Sequence, residues 1–158
     1  MSRKYLNDRW CVRCGRKTPT PYLKKNQKHL PPAGSVLDIG CGNGRNSVFM
    51  KNLGYKVDGI DMAGDFGIKS ILGVEDLPKG PYDIILANYV LMFLNQKERY
   101  KVFRDILRCS KEGTMLFIEM YPALDGYKYD LNKIVKYFTR RKWEVFRQSK
   151  ERAILVRG

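Results

Sequence analysis

A short apolar segment leads into a turn in which every second residue is glycine: Val36-Leu37-Asp38-Ile39-Gly40-Cys41-Gly42-Asn43-Gly44. Residues 35–39 have the apolar character of a buried β-strand, and residues 44–53 that follow are typical of a helix. Glycines allow sharp turning and let a ligand approach the backbone closely at the start of that helix. The stretch therefore predicts a strand, a ligand-binding loop and a helix in succession.

The same alternation of strands and helices continues along the chain. Further strands are predicted at residues 56–60, 70–74, 82–87 and 114–120, with a helix at 96–109 before the last of them. Helical crossovers imply parallel pairing. A helix at residues 131–139 and two strands at 143–148 and 153–156 close the chain. The sequence predicts a three-layer α/β/α fold with a Rossmann-like, mostly parallel sheet and a C-terminal antiparallel hairpin.

The region before the first strand differs from the rest. Residues 1–33 are predicted to form a basic N-terminal arm that ends in a short helix over residues 21–30, capped by Thr20. Residues 34–158 are predicted to form one α/β domain of ordinary length. The longest nearly apolar run, residues 84–94, is shorter than the roughly 20 residues that span a bilayer, so a cytoplasmic protein is expected.

The net charge of +14 is concentrated at the two ends of the chain. Residues 1–30 carry nine basic residues and one acid, residues 130–158 carry nine basic residues and three acids, and the segment between them carries twelve of each sign. Basic ends of this kind attract polyanions, nucleic acid above all. The alternative is a solvated surface that keeps the protein soluble.

Of the four cysteines, only Cys11 and Cys14 have the spacing of metal ligands. A tetrahedral zinc site needs two more ligands, and only His29 lies nearby. Cys41 belongs to the glycine-rich turn, and Cys109 lies at the end of a later helix. The sequence therefore predicts no complete metal site, and zinc on Cys11 and Cys14 is left as an open alternative.

The glycine-rich turn limits the kind of ligand. A dinucleotide fingerprint has its third glycine at the position of Arg45, so a nicotinamide or flavin cofactor is disfavoured. Asp38, beside the glycines, could hold the cationic end of an amino acid. The turn is thus expected to bind a nucleotide-like ligand at a helix N-terminus.

Carboxylates follow the next two predicted strands. Asp61 stands 17 positions after Gly44, where it can accept hydrogen bonds from both hydroxyls of an adenosine ribose. Asp76 is placed to accept from an adenine amino group, with Met62 and Leu77 as apolar contacts to the ring. Ordinary strand-end turns are the alternative explanation for Asp61 and Asp76 taken singly.

These residues resemble the class I S-adenosylmethionine-dependent methyltransferases, and residues 37–54 look most like the tellurite-resistance methyltransferase group. The resemblance covers about residues 20–158 in strand and helix order. It implies S-adenosylmethionine as the cofactor, S-adenosylhomocysteine as its product, and a substrate-facing position for Asn88 at the end of the fourth strand. The predicted cofactor-binding residues are Asp38, Gly40, Cys41, Gly42, Gly44, Asp61, Met62, Asp76, Leu77 and Asn88.

The sequence departs from the family's pattern in two places. Only eight residues separate Asp61 from Ser70, so the usual second helix is expected to be missing or reduced to a turn. The stretch at residues 121–130, after the fifth strand, is also short. Both departures predict a shallow, open site, provided that the N-terminal arm does not cover it.

No catalytic residue is predicted. Methyl transfer from a sulfonium depends chiefly on aligning the acceptor with the methyl group at about 3 to 3.5 Å, without a catalytic triad. His29, the only histidine, precedes the fold. Tyr89 and Glu119 are candidate polar residues of the site, although residues of this kind are more often structural.

The expected function is methyl transfer from S-adenosylmethionine to an acceptor that the sequence does not identify. Nucleic acid and a small molecule are equally favoured, and a protein is the third candidate. The residues at 88–91, Asn-Tyr-Val-Leu, lack the Asn-Pro-Pro-Tyr motif of enzymes that methylate the amino group of a flipped base, which disfavours DNA amino-methylation. The alternative function is a cofactor-binding subunit without transferase activity of its own.

Overall fold

The computed structural model describes residues 18–62, 66–121 and 130–158. Within these ranges the helices are α1 Pro21–Lys25, α2 Arg45–Asn52, α3 Gln96–Arg108 and α4 Leu131–Thr139. The strands are β1 Ser35–Ile39, β2 Lys56–Asp61, β3 Ile68–Lys69, β4 Tyr82–Asn88, β5 Ser110–Glu119, β6 Trp143–Gln148 and β7 Arg152–Arg157. Two short 3-10 turns lie at Gln27–His29 and Leu91–Phe93.

All seven strands belong to one sheet in the order β3-β2-β1-β4-β5-β7-β6. The strands from β3 to β5 in that order pair in parallel, whereas β7 pairs antiparallel with both β5 and β6. Strand order reverses between β1 and β4, and open α/β sheets bind ligands outside the carboxyl ends of the strands at such a point. The predicted fold is confirmed, and its topology directs attention to the ends of β1 and β4.

Alternate side chains of the sheet point to opposite faces and fill two cores. One core contains Leu37 and Ile85 packed with Phe103 of α3. The other contains Val36 packed with Leu23 of α1. Because helices cover both faces, the molecule has the three layers that the alternating pattern predicts.

The bounds of β1, α4 and β6 are those predicted from the sequence, whereas the predicted third strand at residues 70–74 is wrong. β3 lies earlier, at Ile68–Lys69, and the backbone then turns on itself. The N–H groups of Val74 and Glu75 both donate to the Ile71 carbonyl oxygen, at 3.1 and 2.9 Å. Carbonyl groups used in a turn of this kind are not available to a neighbouring strand, which explains the shift.

The single helix predicted over residues 21–30 is also wrong. α1 ends at Lys25, and the chain continues as the 3-10 turn Gln27–His29. The Asn26 side-chain amide donates to the Tyr22 carbonyl oxygen at 2.8 Å, which satisfies the end of the short helix. Thr20 makes no side-chain cap, and its backbone N–H donates to Asn46 Oδ1 at 2.9 Å instead.

Some predictions concern residues outside the described ranges. These include the arm over residues 1–17, with Cys11 and Cys14, and most of the short stretch after β5, residues 122–129. Between β2 and β3, the described residues form bends and no helix, in agreement with the shortened connection. None of the helices within the described ranges is long and apolar enough to cross a membrane.

Candidate functional site

The glycine-rich turn is held against the end of β2 by backbone hydrogen bonds. The N–H groups of Gly40 and Cys41 both donate to the Ile60 carbonyl oxygen, at 2.8 and 3.0 Å. The Gly44 N–H donates to the Cys41 carbonyl oxygen at 2.8 Å, and α2 begins directly after Gly44. The turn therefore lies at the carboxyl ends of β1 and β2, beside a helix N-terminus.

The structure brings Gly42 and Asp61 together. The Gly42 N–H donates to Asp61 Oδ2 at 2.9 Å. Gly42 has a φ of +54°, and a Cβ added there meets no described atom within 4 Å. A Cβ at Gly40 would lie 2.5 Å from Val90, and one at Gly44 would lie 2.6 Å from the ring of Phe66. Packing thus requires glycine at positions 40 and 44, whereas Gly42 leaves room for a ligand.

Asp38 is buried beneath the turn, with 2% of its surface exposed. The Ser47 hydroxyl of α2 donates to Asp38 Oδ2 at 2.6 Å and so ties the helix to β1. Desolvation raises the pKa of Asp38 to about 7; the Ser47 bond opposes this rise, and the nearby Asp61 carboxylate adds to it. The predicted contact of Asp38 with the amino-acid end of a ligand stays a prediction.

The raised pKa of Asp38 predicts a pH-dependent stability. The unfolded carboxyl ionises near 3.8 and the folded one near 7, so the folded state loses stability as the pH rises through that window. Asp38→Asn can still accept the Ser47 bond without this penalty. We expect it to raise the free energy of unfolding by a few kcal/mol at about pH 8, because one pKa unit is worth about 1.4 kcal/mol. Urea unfolding should show almost no difference at about pH 4, and an equal effect at both pH values would contradict this account.

Phe66 is a site neighbour that the sequence analysis missed. Its carbonyl oxygen accepts a hydrogen bond from Cys41 Sγ at 3.2 Å, and its ring approaches Gly44. The Lys51 ammonium lies 5.1 Å from the centre of the same ring. Phe66 therefore covers the start of α2. It belongs to the connection between β2 and β3, whose described residues form no helix. Met62, next to Asp61 in the same connection, is partly buried.

Asp76 and Leu77 contact α3 rather than the glycine-rich turn. Asp76 forms an ion pair with Lys101, and its side chain is 71% exposed. The hydrogen bond from Lys101 lowers the pKa of Asp76. Leu77 is buried, and its N–H donates to Asp105 Oδ2 at 3.1 Å. These contacts connect Asp76 and Leu77 to α3 and not to Asp61. The predicted contact of both residues with adenine stays a prediction.

The ends of β4 and β5 carry a buried polar pair beside the switch point. The Asn88 amide donates to Glu119 Oε2, and Glu119 has no exposed surface. Tyr89 follows with a φ of +55°, a conformation that is rare for residues other than glycine. Burial, followed by the nearby Glu119 carboxylate, raises the pKa of Tyr89. Asn88 thus ends β4 with Glu119 as a partner that the strand pattern alone did not reveal, and its substrate-facing position stays a prediction.

The described residues contain no group of three or more metal-ligating side chains. Cys41 and Cys109 are buried thiols, and burial raises the pKa of Cys109 to about 11. A protonated buried thiol is a poor metal ligand and a poor nucleophile.

Comparison with known families gives a match over nearly the whole chain. The profile of a family described as "Methyltransferase domain" matches residues 6–151. A search of the curated proteins found no match.

Solved structures share this fold at low sequence identity. A TehB-like SAM-dependent methyltransferase from Corynebacterium glutamicum superimposes with a TM-score of 0.69 at 20% identity, over 85% of this chain and 86% of that chain. TehB from Haemophilus influenzae gives a TM-score of 0.74 at 19% identity, over 95% of this chain and 66% of that chain. The Burkholderia thailandensis 1,6-didemethyltoxoflavin-N1-methyltransferase, solved with S-adenosylhomocysteine, gives 0.65 at 12% identity, over 87% and 75%.

Proposed function

The chain belongs to the methyltransferase domain family, and we propose that it binds S-adenosylmethionine at the ends of β1 and β2 and transfers the methyl group to a nucleic acid or a small molecule. When bound, the cofactor supplies a methyl group on a positively charged sulfur, and the sulfur keeps the bonding electrons as the methyl group leaves. The protein's part is to bind and align the two reactants. The proposal includes a cytoplasmic location, where buried reduced thiols such as Cys41 and Cys109 are usual.

The contact between Gly42 and Asp61 carries the cofactor proposal. A carboxylate beside a turn with space above its glycine can accept the ribose hydroxyls while the backbone approaches the ligand closely. The residues present fit the cofactor, because a Cβ added at Gly42 would meet none of the described protein atoms within 4 Å. A ligand can therefore approach the backbone at this position. Met62 is the proposed apolar neighbour of the adenine ring.

A nucleic-acid acceptor is supported by contacts between the two basic ends of the chain. The ring of His29 lies 5.1 Å from that of Phe146, and His29 Nε2 lies 3.2 Å from Arg147 Nη2. Desolvation and the cations Arg147 and Lys28 lower the pKa of His29. We name this surface the basic seam; it consists of Lys28, His29, Phe146 and Arg147. Phe146 is 45% exposed beside His29 and Arg147, an arrangement suited to stacking on an unpaired nucleobase.

A small-molecule acceptor is supported by the structural neighbours. The Burkholderia thailandensis enzyme is a 1,6-didemethyltoxoflavin-N1-methyltransferase, and MtfA, solved with S-adenosylmethionine, is a glycopeptide N-methyltransferase. These two share the fold at 12% identity. Similarity at that level indicates a shared fold but does not identify the acceptor. The experiment therefore includes both a nucleic acid and small molecules.

Incubation with S-adenosylmethionine labelled in the methyl group, in the presence of mixed single-stranded RNA or a metabolite extract, tests the proposal. We expect label in RNA to fall about tenfold in the double variant Lys28→Glu and Arg147→Glu, and to fall steeply with salt, because phosphate contacts release counterions.

The matched control is Lys133→Glu with Lys136→Glu, two exposed lysines of α4 that reverse the same amount of charge away from the basic seam. Equal losses in both double variants would remove the basic seam as the RNA contact. Label only in the metabolite extract would assign the acceptor to small molecules, and label in neither fraction would overturn the transferase proposal.

A further inference from the structure

We propose that Asn88 and Glu119 form a binding site for an acceptor that presents an NH₂ group, so that the methylated atom is nitrogen. This inference rests on the proposed function and names the chemistry of its acceptor. Both residues end parallel strands next to the switch point between β1 and β4. Their registers place Asn88 directly opposite Glu119.

Three polar atoms of this cluster lack a hydrogen bond. They are Asn88 Oδ1, Glu119 Oε1 and Arg152 Nε, all buried and without a hydrogen-bond partner in the described part of the chain. The orientation of Asn88 follows from its partner, because a carboxylate accepts only and the amide nitrogen must therefore face it. Asn88 Oδ1 consequently points away from Glu119 Oε2. Buried acceptors without donors are rare in folded proteins, and a ligand that donates to them removes the penalty.

Two acceptor oxygens on adjoining side chains select the ligand chemistry. An NH₂ group can donate one hydrogen to Asn88 Oδ1 and the other to Glu119 Oε1, whereas a hydroxyl or thiol has one hydrogen only. With both hydrogens engaged, the nitrogen lone pair points away from the two oxygens. This arrangement fits a primary amine or an amino group on a ring, and such groups occur both in nucleobases and in small molecules.

Glu119 can also receive the proton that the nitrogen loses. The Arg152 guanidinium faces it and forms an ion pair, with Nε 3.4 Å from Glu119 Oε1. As the new N–C bond forms, the nitrogen becomes positively charged, and transfer of one N–H proton to Glu119 Oε1 leaves a neutral methylated amine.

Aromatic rings and a strained backbone adjoin the pair. Tyr89 holds its φ of +55°, and its N–H donates to the Glu119 carbonyl oxygen at 2.7 Å. Its ring stacks on Tyr121 with centroids 4.5 Å apart. Strained residues that the surroundings enforce cluster at binding sites, and flat rings beside the two oxygens suit a planar amino-bearing acceptor.

Glu119→Gln is the test. In this variant Asn88 Nδ2 still donates to the glutamine oxygen, so the new NH₂ group replaces Oε1. It then faces the NH₂ group of the molecule to be methylated, and two hydrogen-bond donors oppose each other. With labelled S-adenosylmethionine we expect kcat/KM to fall at least about 100-fold on the acceptor fraction that the wild type labels. Affinity for S-adenosylhomocysteine should stay within about twofold by calorimetry. The control is Glu112→Gln, an exposed residue of the same strand, which should change neither value.

Product analysis and thermal unfolding complete the test. The label should be on nitrogen, in digested RNA if the amine is a nucleobase and in the metabolite fraction if it is a free amine; label on oxygen, sulfur or carbon overturns the inference. The melting temperature of Glu119→Gln should stay within about 3 °C of the wild type or rise. A larger fall would show that Glu119 serves the fold through Arg152 and would overturn the inference. This melting measurement needs no acceptor, so it decides the inference even if the wild type labels nothing and the proposed function fails.

Discussion

Asp61→Ala is expected to weaken the binding of S-adenosylmethionine and S-adenosylhomocysteine at least about 100-fold. The variant removes hydrogen bonds to a charged acceptor, each worth about 1.5 to 3 kcal/mol, and two of them correspond to at least a factor of about 100. It also removes the acceptor for the Gly42 N–H, which Asp61 Oδ2 holds at 2.9 Å. Isothermal titration calorimetry with S-adenosylhomocysteine measures the loss directly.

Asp61→Asn separates the two contributions. Its oxygen can still accept from the Gly42 N–H, but its NH₂ group cannot accept from a ribose hydroxyl. We expect this variant to lose most of the affinity while keeping the melting temperature of the wild type. Asp58→Asn is the matched control on the same strand, since its oxygen can still accept the hydrogen bond from the Tyr82 hydroxyl. Undiminished affinity in Asp61→Ala would mean that the cofactor binds elsewhere.

Gly42→Ala is expected to have the second-largest effect, a loss of cofactor affinity of about 30-fold or more with little loss of stability. At a φ of +54° an alanine costs about 1 to 2 kcal/mol of backbone strain. Its methyl group touches none of the described protein atoms, so that strain is the only expected penalty on folding. The methyl group does enter the space proposed for the cofactor, where a backbone contact needs a bare glycine.

Gly113→Ala provides the comparison for Gly42→Ala. Gly113 has a φ of +85°, and a Cβ there likewise meets no described atom within 4 Å, but it lies near the start of β5 rather than at the carboxyl ends of the strands. Both variants should lower the melting temperature by a few degrees, and only Gly42→Ala should lower affinity in calorimetry. If the two variants bind equally well, the space above Gly42 is not part of the cofactor site.

Regular apolar patterns made most of the fold predictable. β1 and α4 have the bounds expected from the sequence, because β1 is buried along nearly its whole length and α4 buries one face. β6 also has the expected bounds, although Trp143 is its only buried residue. β3 was misplaced since it has only two residues, Ile68–Lys69, both exposed, and so carries no apolar signal. α1 ended early because the Asn26 side chain bonds back to the helix end, a local contact that competes with helix continuation.

The candidate site divides in the same way. Spacing along the chain predicted that the glycine-rich turn and Asp61 belong together, since the ends of neighbouring parallel strands meet at one edge of the sheet. The same rule predicted that Asp76 lies at this edge, but the strand predicted before it, at residues 70–74, is not formed. The structure shows Asp76 in an ion pair with Lys101. The burial of Asp38 against Ser47 and the cover provided by Phe66 depend on how the chain packs, which spacing does not report.

By itself, the sequence determined the order of strands and helices, the glycine-rich turn, the acidic end of β2 and the concentration of positive charge at both ends of the chain. These features follow from local residue types and periodicity, which act over a few neighbouring residues. Only the tertiary structure decided that Asn88 meets Glu119 and that His29 meets Arg147, pairs that are 31 and 118 positions apart. Contacts over such separations come from sheet register and packing, because burial of the whole core selects them together.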